Sequence, residues 1–295
     1  MDIQRTNSIS FNSIIIDDLS VINIYPGGEW LYYNIYINQN ATDNLIIELI
    51  ENLKKDDNNL SKPFFFVRYY EEEKQDHLRF RIKVDPDEVG RIVNRLYDFF
   101  KNNIYIRSVS IDTYRREVTR YGYPMILDVE KLFCIDSKIV YEFLVNSSKI
   151  TDLEKIKFCI SGIYNYLNCF GFSDERKMNF VEIAKTNFFV EFNLDSISKK
   201  SLNKAYNQYL KANFSLDDVT QEIGDISLYK ERADLCKIVI ENKLGKKEDD
   251  VVWSIIHMFV NKIFSKKQRL YEMIAYDFLF KLLKTRFHMS GTNLK

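Results

Sequence analysis

The sequence predicts an α+β fold in which the two kinds of element are segregated along the chain. Three observations predict it. Segments with alternating or aromatic and β-branched character all fall before residue 124. Segments with apolar residues at helical spacing dominate after it. The 295 residues are 46% hydrophobic and 15% aromatic, enough to bury a substantial core.

Residues 1–28 carry little periodicity and end in Pro26-Gly27-Gly28, so they read as an arm leading into the first strand. Trp30 to Ile37, WLYYNIYI, is aromatic and β-branched and reads as that strand. Asp43 to Leu53 places Leu45, Ile46, Leu49, Ile50 and Leu53 on one helical face, with Thr42 or Asp43 as its cap. Phe64 to Tyr70 is a second strand, and His77 to Val84 a strictly alternating third. Pro86 opens a helix running through Phe100, and Ile104 to Tyr114 is the fourth strand. The order β-α-β-β-α-β is the ferredoxin-like split arrangement. It puts the first and third strands at the centre and both helices on one face.

Helical patterns then follow at about 126–146, 152–170, 174–192, 198–212, 227–244, 249–264 and 267–287. Breaks fall at Gly171, at Ser215 to Asp218 and at Leu244 to Lys247. The organisation expected is an arm (1–28), a ferredoxin-like α+β region (29–123) and an all-helical region (124–295). The helical half covers the open face of the sheet, and the whole acts as one catalytic unit.

Composition removes several function classes. Lys+Arg and Asp+Glu are equal at 42 each, and a general nucleic-acid binder carries a basic excess, so no direct nucleic-acid contact is expected. Cys134, Cys159, Cys169 and Cys236 form no CxxC pair, and with three histidines a structural zinc site is not expected; the cysteines read as reduced, mostly buried thiols. The N-terminus lacks a basic stretch followed by a long apolar one, and no 18 apolar residues run without charge. A cytoplasmic protein without a membrane span is expected.

Two segments carry candidate chemistry. In HLRFRIKV, Leu78, Phe80 and Ile82 point one way, and His77, Arg79, Arg81 and Lys83 the other. Helices cover the apolar side, so the cations lie on the open face of a central strand. They either pair with acids from the helical half, stay solvated, or bind an anionic ligand, for which a guanidinium supplies two-pronged contacts. A second cluster, Arg115, Arg116 and Arg120, follows in DTYRREVTRYGYP. In VVWSIIHMFVNKIF, Trp253, His257 and Asn261 stack at spacing four, flanked by buried Ile256, Phe259, Val260 and Ile263. His257 is then either a hydrogen-bonded core residue or a proton-transfer group in a closed pocket. His288, near the C-terminus, reads as incidental.

Taken together, five segments resemble the glutamate-elimination domain of lantibiotic dehydratases and its stand-alone relatives in thiopeptide biosynthesis. They are WLYYNIYI (30–37), PFFFVRYYEEEKQDHLRFRI (63–82), DTYRREVTRYG (112–122), LDVEKLFCIDS (127–137) and SIIHMFVNKIF (254–264), in the family's order. The resemblance implies a lyase of bacteriocin maturation. A partner glutamylates Ser or Thr of a ribosomal precursor peptide using glutamyl-tRNA. The elimination domain removes the α-proton and expels glutamate, leaving dehydroalanine or dehydrobutyrine. By motif, the family's two arginines and histidine fall on Arg81, Arg120 and His257 as catalytic residues, with Arg79, His77, Arg116, Asn261 and Tyr121 binding substrate. No metal or organic cofactor is implied.

Two positions depart from the family pattern: Gly122-Tyr123 stands where a double glycine is usual, and Lys262 where an arginine is usual. The chain is too short for a glutamylating domain, so a separate tRNA-dependent glutamylating subunit is expected as a partner. The precursor peptide, leader and core, and other maturation enzymes are the remaining partners. Two alternatives stay open: a thiopeptide pyridine synthase, which joins two dehydroalanines by formal cycloaddition and releases the leader peptide, and an inert peptide-binding subunit of a dehydratase complex.

Overall fold

Alternation along four strands sets the position of everything else in the molecule. The computed structural model describes residues 9–11, 14–16, 22–55, 62–71, 75–147, 150–219, 224–243 and 245–292. Parts of the expected arm lie outside them. Within it, β1 (Ile9–Phe11) and β2 (Ile14–Ile16) form a short antiparallel pair, and β3 (Asn23–Ile24) is a two-residue strand. These pieces are too short to produce a readable period.

The ferredoxin-like half follows the expected order: β4 (Trp30–Ile37), α1 (Thr42–Lys54), β5 (Phe64–Glu71), β6 (Gln75–Lys83), α2 (Val89–Lys101) and β7 (Ile106–Asp112). The sheet order is β5-β6-β4-β7, antiparallel throughout, so the first and third strands of the motif are central. Register places Leu31, Tyr33 and Ile35 of β4 opposite Ile82, Phe80 and Leu78 of β6. All six are buried with Leu45, Ile46, Leu49 and Ile50 of α1 and Ile92 and Leu96 of α2. Each such side chain contributes about 1.5–3 kcal/mol by leaving water.

Some expectations at element ends are corrected. Neither Thr42 nor Asp43 caps α1; its N-cap is Ala41, without a side-chain bond, and Asp43 turns to Arg68 and Lys155. Pro86 opens a 3₁₀ turn, Pro86–Glu88, and α2 begins at Val89. The fourth strand divides at Thr113 into β7 and β8 (Tyr114–Arg115), and β8 pairs with β3.

The second half is helical: α3 (Val118–Tyr121), α4 (Met125–Asn146), α5 (Asp152–Cys169), α6 (Asp174–Glu191), α7 (Ser196–Tyr209), α8 (Leu216–Val219), α9 (Ile226–Glu241), α10 (Glu248–Ile263) and α11 (Gln268–Thr292). Thr151, Ser173, Asp195 and Asp225 cap α5, α6, α7 and α9 by accepting backbone N–H bonds. The break expected at Ser215 to Asp218 contains the single turn α8. The side chain of His288 lies outside the described ones.

The helical half docks through α4 and α10 onto the edge strand β5. There the Phe66 N–H donates to Ser137 Oγ (3.2 Å), and Gln268 donates to the Arg68 carbonyl (2.8 Å). An otherwise open sheet edge is thereby satisfied. Gly162 on α5 lets α10 approach closely, because a Cβ there would lie 2.0 Å from Cε1 of Phe259. Cys134, Cys159 and Cys236 are buried and Cys169 is half-buried.

Candidate active site

Where β8, α3, α4 and α10 meet the second face of the sheet, a cavity of about 280 Å³ remains. Arg79, Arg81, Arg115, Arg120, His257 and Asn261 line it, with aromatic walls from Phe65, Tyr69, Tyr114 and Phe133. The strand alternation explains the arginines. Arg81 stands across from Tyr32 on β4 and Phe65 on β5, and Arg79 across from Asn34 and Val67.

Arg81 is the unusual group. Its guanidinium carbon lies 4.1 Å from the Tyr32 ring centre, 4.8 Å from Tyr114 and 5.0 Å from Phe65. Aromatic faces attract a cation, but they do not neutralise it. Its Nε is buried without a hydrogen-bond partner, and no described carboxylate lies within ion-pair distance. Burial lowers its pKa, the Tyr114 and Tyr32 hydroxyls act against this, and the charge of Arg79 adds to it. The charge of Glu117, which lines the same cavity, also opposes the shift; a guanidinium keeps its proton regardless, so the position is a cation without an ion pair among the described residues.

The other cations are partly occupied. Arg79 stacks on Tyr69 at 3.5 Å and donates from Nε to His77 Nε2 at 3.2 Å. Arg120 pairs with Glu117 at 3.1 Å, both half exposed to solvent. Among the described residues, Glu117 is the one acid lining the cavity.

Across the cavity, α10 presents His257. Its Nδ1 lies 2.8 Å from Oε2 of Glu272 on α11, and its Nε2 lies 3.0 Å from Nδ2 of Asn261. Glu272 is fully buried, and Arg269 also reaches its Oε2 at 3.3 Å. The i, i+4 stack of Trp253, His257 and Asn261 is half-buried, as the spacing predicts, with Ile256, Phe259, Val260 and Ile263 buried beside it.

The structure thus brings together Arg79, Arg81, Arg120, His257 and Asn261, and leaves three expected site residues elsewhere. His77 is buried between the rings of Tyr36 and Tyr69, behind Arg79 rather than in the cavity. Tyr121 is buried against Phe133 in the wall. Arg116 points away and binds Glu130 at 2.7 Å and Glu29 at 2.6 Å. These two carboxylates claim it, and Arg115 takes its place at the cavity.

The two departures from the family pattern also fall outside the cavity lining. Gly122 holds a positive φ of 85° at the end of α3, which glycine adopts at little cost, and Tyr123 lines a second, larger cavity of about 660 Å³ together with Arg116, Glu130 and Trp30. Lys262 is buried behind Phe133, its Nζ 4.7 Å from that ring centre and 3.3 Å from the Met258 carbonyl.

Sequence reasoning missed Glu272 and Glu117, and of the second arginine cluster it assigned substrate binding to Arg116 where Arg115 lines the cavity. Among the described residues no three His, Cys, Asp or Glu side chains gather as metal ligands, and no helix is long and apolar enough to cross a membrane.

A split β-α-β-β-α-β sheet with a helical cover encloses guanidinium groups opposite a carboxylate-held histidine. Residues 30–283 match the family model for the lantibiotic biosynthesis dehydratase C-terminal region, and the chain belongs to that family. The nisin biosynthesis protein NisB of Lactococcus lactis subsp. lactis is 28% identical over 270 residues, 85% of this chain and 25% of NisB. The subtilin biosynthesis protein SpaB of Bacillus subtilis is 24% identical over 267 residues, 83% of this chain and 24% of SpaB. The chain therefore spans about a quarter of the length of these curated relatives.

Solved structures share the fold. The tRNA dependent lantibiotic dehydratase MibB from Microbispora sp. 107891 superposes with a TM-score of 0.65 at 16% identity, over 88% of this chain and 29% of MibB. The pyridine synthase TbtD from thiomuracin biosynthesis superposes with a TM-score of 0.54 at 10% identity, over 87% of this chain and 99% of TbtD.

Proposed function

We propose that the chain eliminates glutamate from glutamylated Ser and Thr side chains of a ribosomally made precursor peptide, acting with a separate tRNA-dependent glutamylating subunit. The observation that carries this reading is Arg81: a guanidinium on a central strand, without an ion pair among the described residues, at a cavity shared with Arg79, Arg115, Arg120 and His257. A glutamyl ester brings a free carboxylate to such a cavity. Its ester carbonyl draws electrons as the leaving group departs.

In the proposed step the Cα–H bond of the modified residue breaks, and the proton goes to His257. The electron pair forms the Cα=Cβ double bond while the Cβ–O bond of the ester breaks. Glutamate leaves as its carboxylate, and His257 returns its proton to solvent. Arg81 and Arg120 hold the glutamyl carboxylate and stabilise charge developing on the enolate and the leaving group. Proton transfer by a placed histidine contributes roughly 10²–10⁴-fold. Family membership supports an enzymatic role in dehydration; glutamate as the anion comes from the family resemblance.

A second reading rests on one observation, that the shared fold extends over 99% of the pyridine synthase TbtD. Mass spectrometry separates the two. Incubated with a glutamylated precursor peptide, the protein is expected to release glutamate and leave a dehydroamino acid. An untouched glutamyl peptide, together with macrocycle formation from a dehydroalanine-rich peptide, overturns the elimination reading in favour of the synthase. Binding of peptide with neither product overturns both and leaves an inert peptide-binding subunit.

A further inference from the structure

We infer that Glu272 is a positioning residue which fixes the tautomer of His257, making that histidine the acceptor of the substrate's proton. The assignment starts from hydrogen-bond roles. An ionised carboxylate only accepts, so the 2.8 Å contact between Glu272 Oε2 and His257 Nδ1 requires the ring proton on Nδ1. A neutral imidazole carries one N–H, which leaves a lone pair on Nε2. Asn261 Nδ2 donates to that lone pair at 3.0 Å, a bond that must open before Nε2 takes the substrate's proton. His257 and Asn261 both line the cavity, whereas Glu272 is fully buried, so the basic edge of the ring is the one beside the substrate.

The surroundings of Glu272 fit a fixed anion. Arg269, tied to Glu191 on α6, places a cation 3.3 Å from the same oxygen. Burial pushes up both the Cys159 thiol and the Tyr276 phenol, and the charge of Glu272 adds to each effect, so neither neighbour supplies a proton. The second oxygen, Oε1, is buried without a hydrogen-bond partner. An unpaired carboxylate oxygen in a core is a liability that an apolar side chain would avoid, and such liabilities gather at functional sites. When His257 gains the substrate proton, the same carboxylate faces the imidazolium that forms.

The test reads the ring directly. The chain holds three histidines, so the ¹⁵N imidazole signals are few, and His257→Gln assigns the one of interest. Wild-type protein in alkaline buffer is expected to show the Nδ1–H tautomer for His257. Glu272→Leu, which removes both acceptor oxygens and is checked for folding by thermal melting, is expected to lose that signature. With glutamylated peptide, kcat is expected to fall roughly 10- to 100-fold at unchanged KM. An Nε2–H tautomer in the wild type overturns the assignment. So does a folded Glu272→Leu protein whose His257 signals are unaltered, whatever its activity. The proton-acceptor role rests on the proposed elimination, but the tautomer does not. If wild-type protein releases no glutamate while the Nδ1–H signature is present and depends on Glu272, the elimination reading fails and the positioning role stands.

Discussion

Among the described residues, three buried arginines and the half-buried Arg81 meet different partners, and the difference distinguishes scaffold from candidate site. Arg232, Arg68 and Arg116 each meet a carboxylate: Asp136 at 2.7 Å, Asp43 at 2.6 Å, and Glu130 with Glu29 at 2.7 and 2.6 Å. Each pair ties distant elements together. Arg232 joins α9 to α4, where Tyr166 of α5 also donates to Asp136 at 2.7 Å. Arg68 joins β5 to α1 and, through the Lys262 carbonyl, to α10. Arg81 meets aromatic rings and a cavity. A guanidinium with its anion built in is committed to the fold. One without is available to a ligand, at a cost in desolvation that the fold absorbs.

Breaking the scaffold pair should produce the largest effect. Asp136 and Arg232 are both fully buried, so Asp136→Ala leaves a guanidinium without its anion in the core. A loss of about 3–5 kcal/mol is expected, read as a drop in the denaturant midpoint. Replacing both partners together, Asp136→Leu with Arg232→Met, should recover most of that loss. If Asp136→Ala is as stable as wild type, the pair is not a scaffold element.

Arg81→Met should behave in the opposite way. With no carboxylate to strand, its stability should change by less than about 1 kcal/mol, in either direction. Glutamate release, in contrast, should fall on the order of 10²–10³-fold, as for removal of one stabilising donor at a developing oxyanion. A variant that melts much earlier but retains its activity would reverse the two roles and sink the comparison.

Much of this contrast was legible in the sequence. Strict alternation in HLRFRIKV puts Arg79 and Arg81 on one face, and spacing four puts His257 beside Asn261, because both rules are local. What lay beyond reach is decided between elements. Arg115 and Arg116 are adjacent, and the strand pattern ends there. Arg115 reaches the cavity because Glu130 and Glu29, 14 residues after and 87 before, capture Arg116. Glu272 lies 15 residues beyond His257, across a helix-helix turn, at no spacing that announces a partner. Asp136 did leave a trace, a single acid inside the apolar run FCIDSKIV, although its partner Arg232 is 96 residues away.

Lys262 tests the comparison at its boundary, since it is a buried cation that neither pairs with a carboxylate nor lines the cavity. Its remaining escape is to shed its proton. Burial lowers its pKa to about 8, with Arg81 and Arg232 contributing, while Asp136 and Cys134 oppose the shift. The sign follows from linkage. Below the folded value both states are protonated, and the fold bears the full cost of the charge. Between about 8 and the ordinary 10.5 the unfolded chain binds more protons than the folded one, so stability rises with pH across that window. The gain is at most about 3 kcal/mol. Lys262→Met should remove this rise, flattening the denaturant midpoint from pH 8 to 10.5 and raising it at neutral pH. An unchanged pH slope in the variant would mean that the ammonium is matched after all. Lys262 would then belong with the scaffold cations rather than between the two groups.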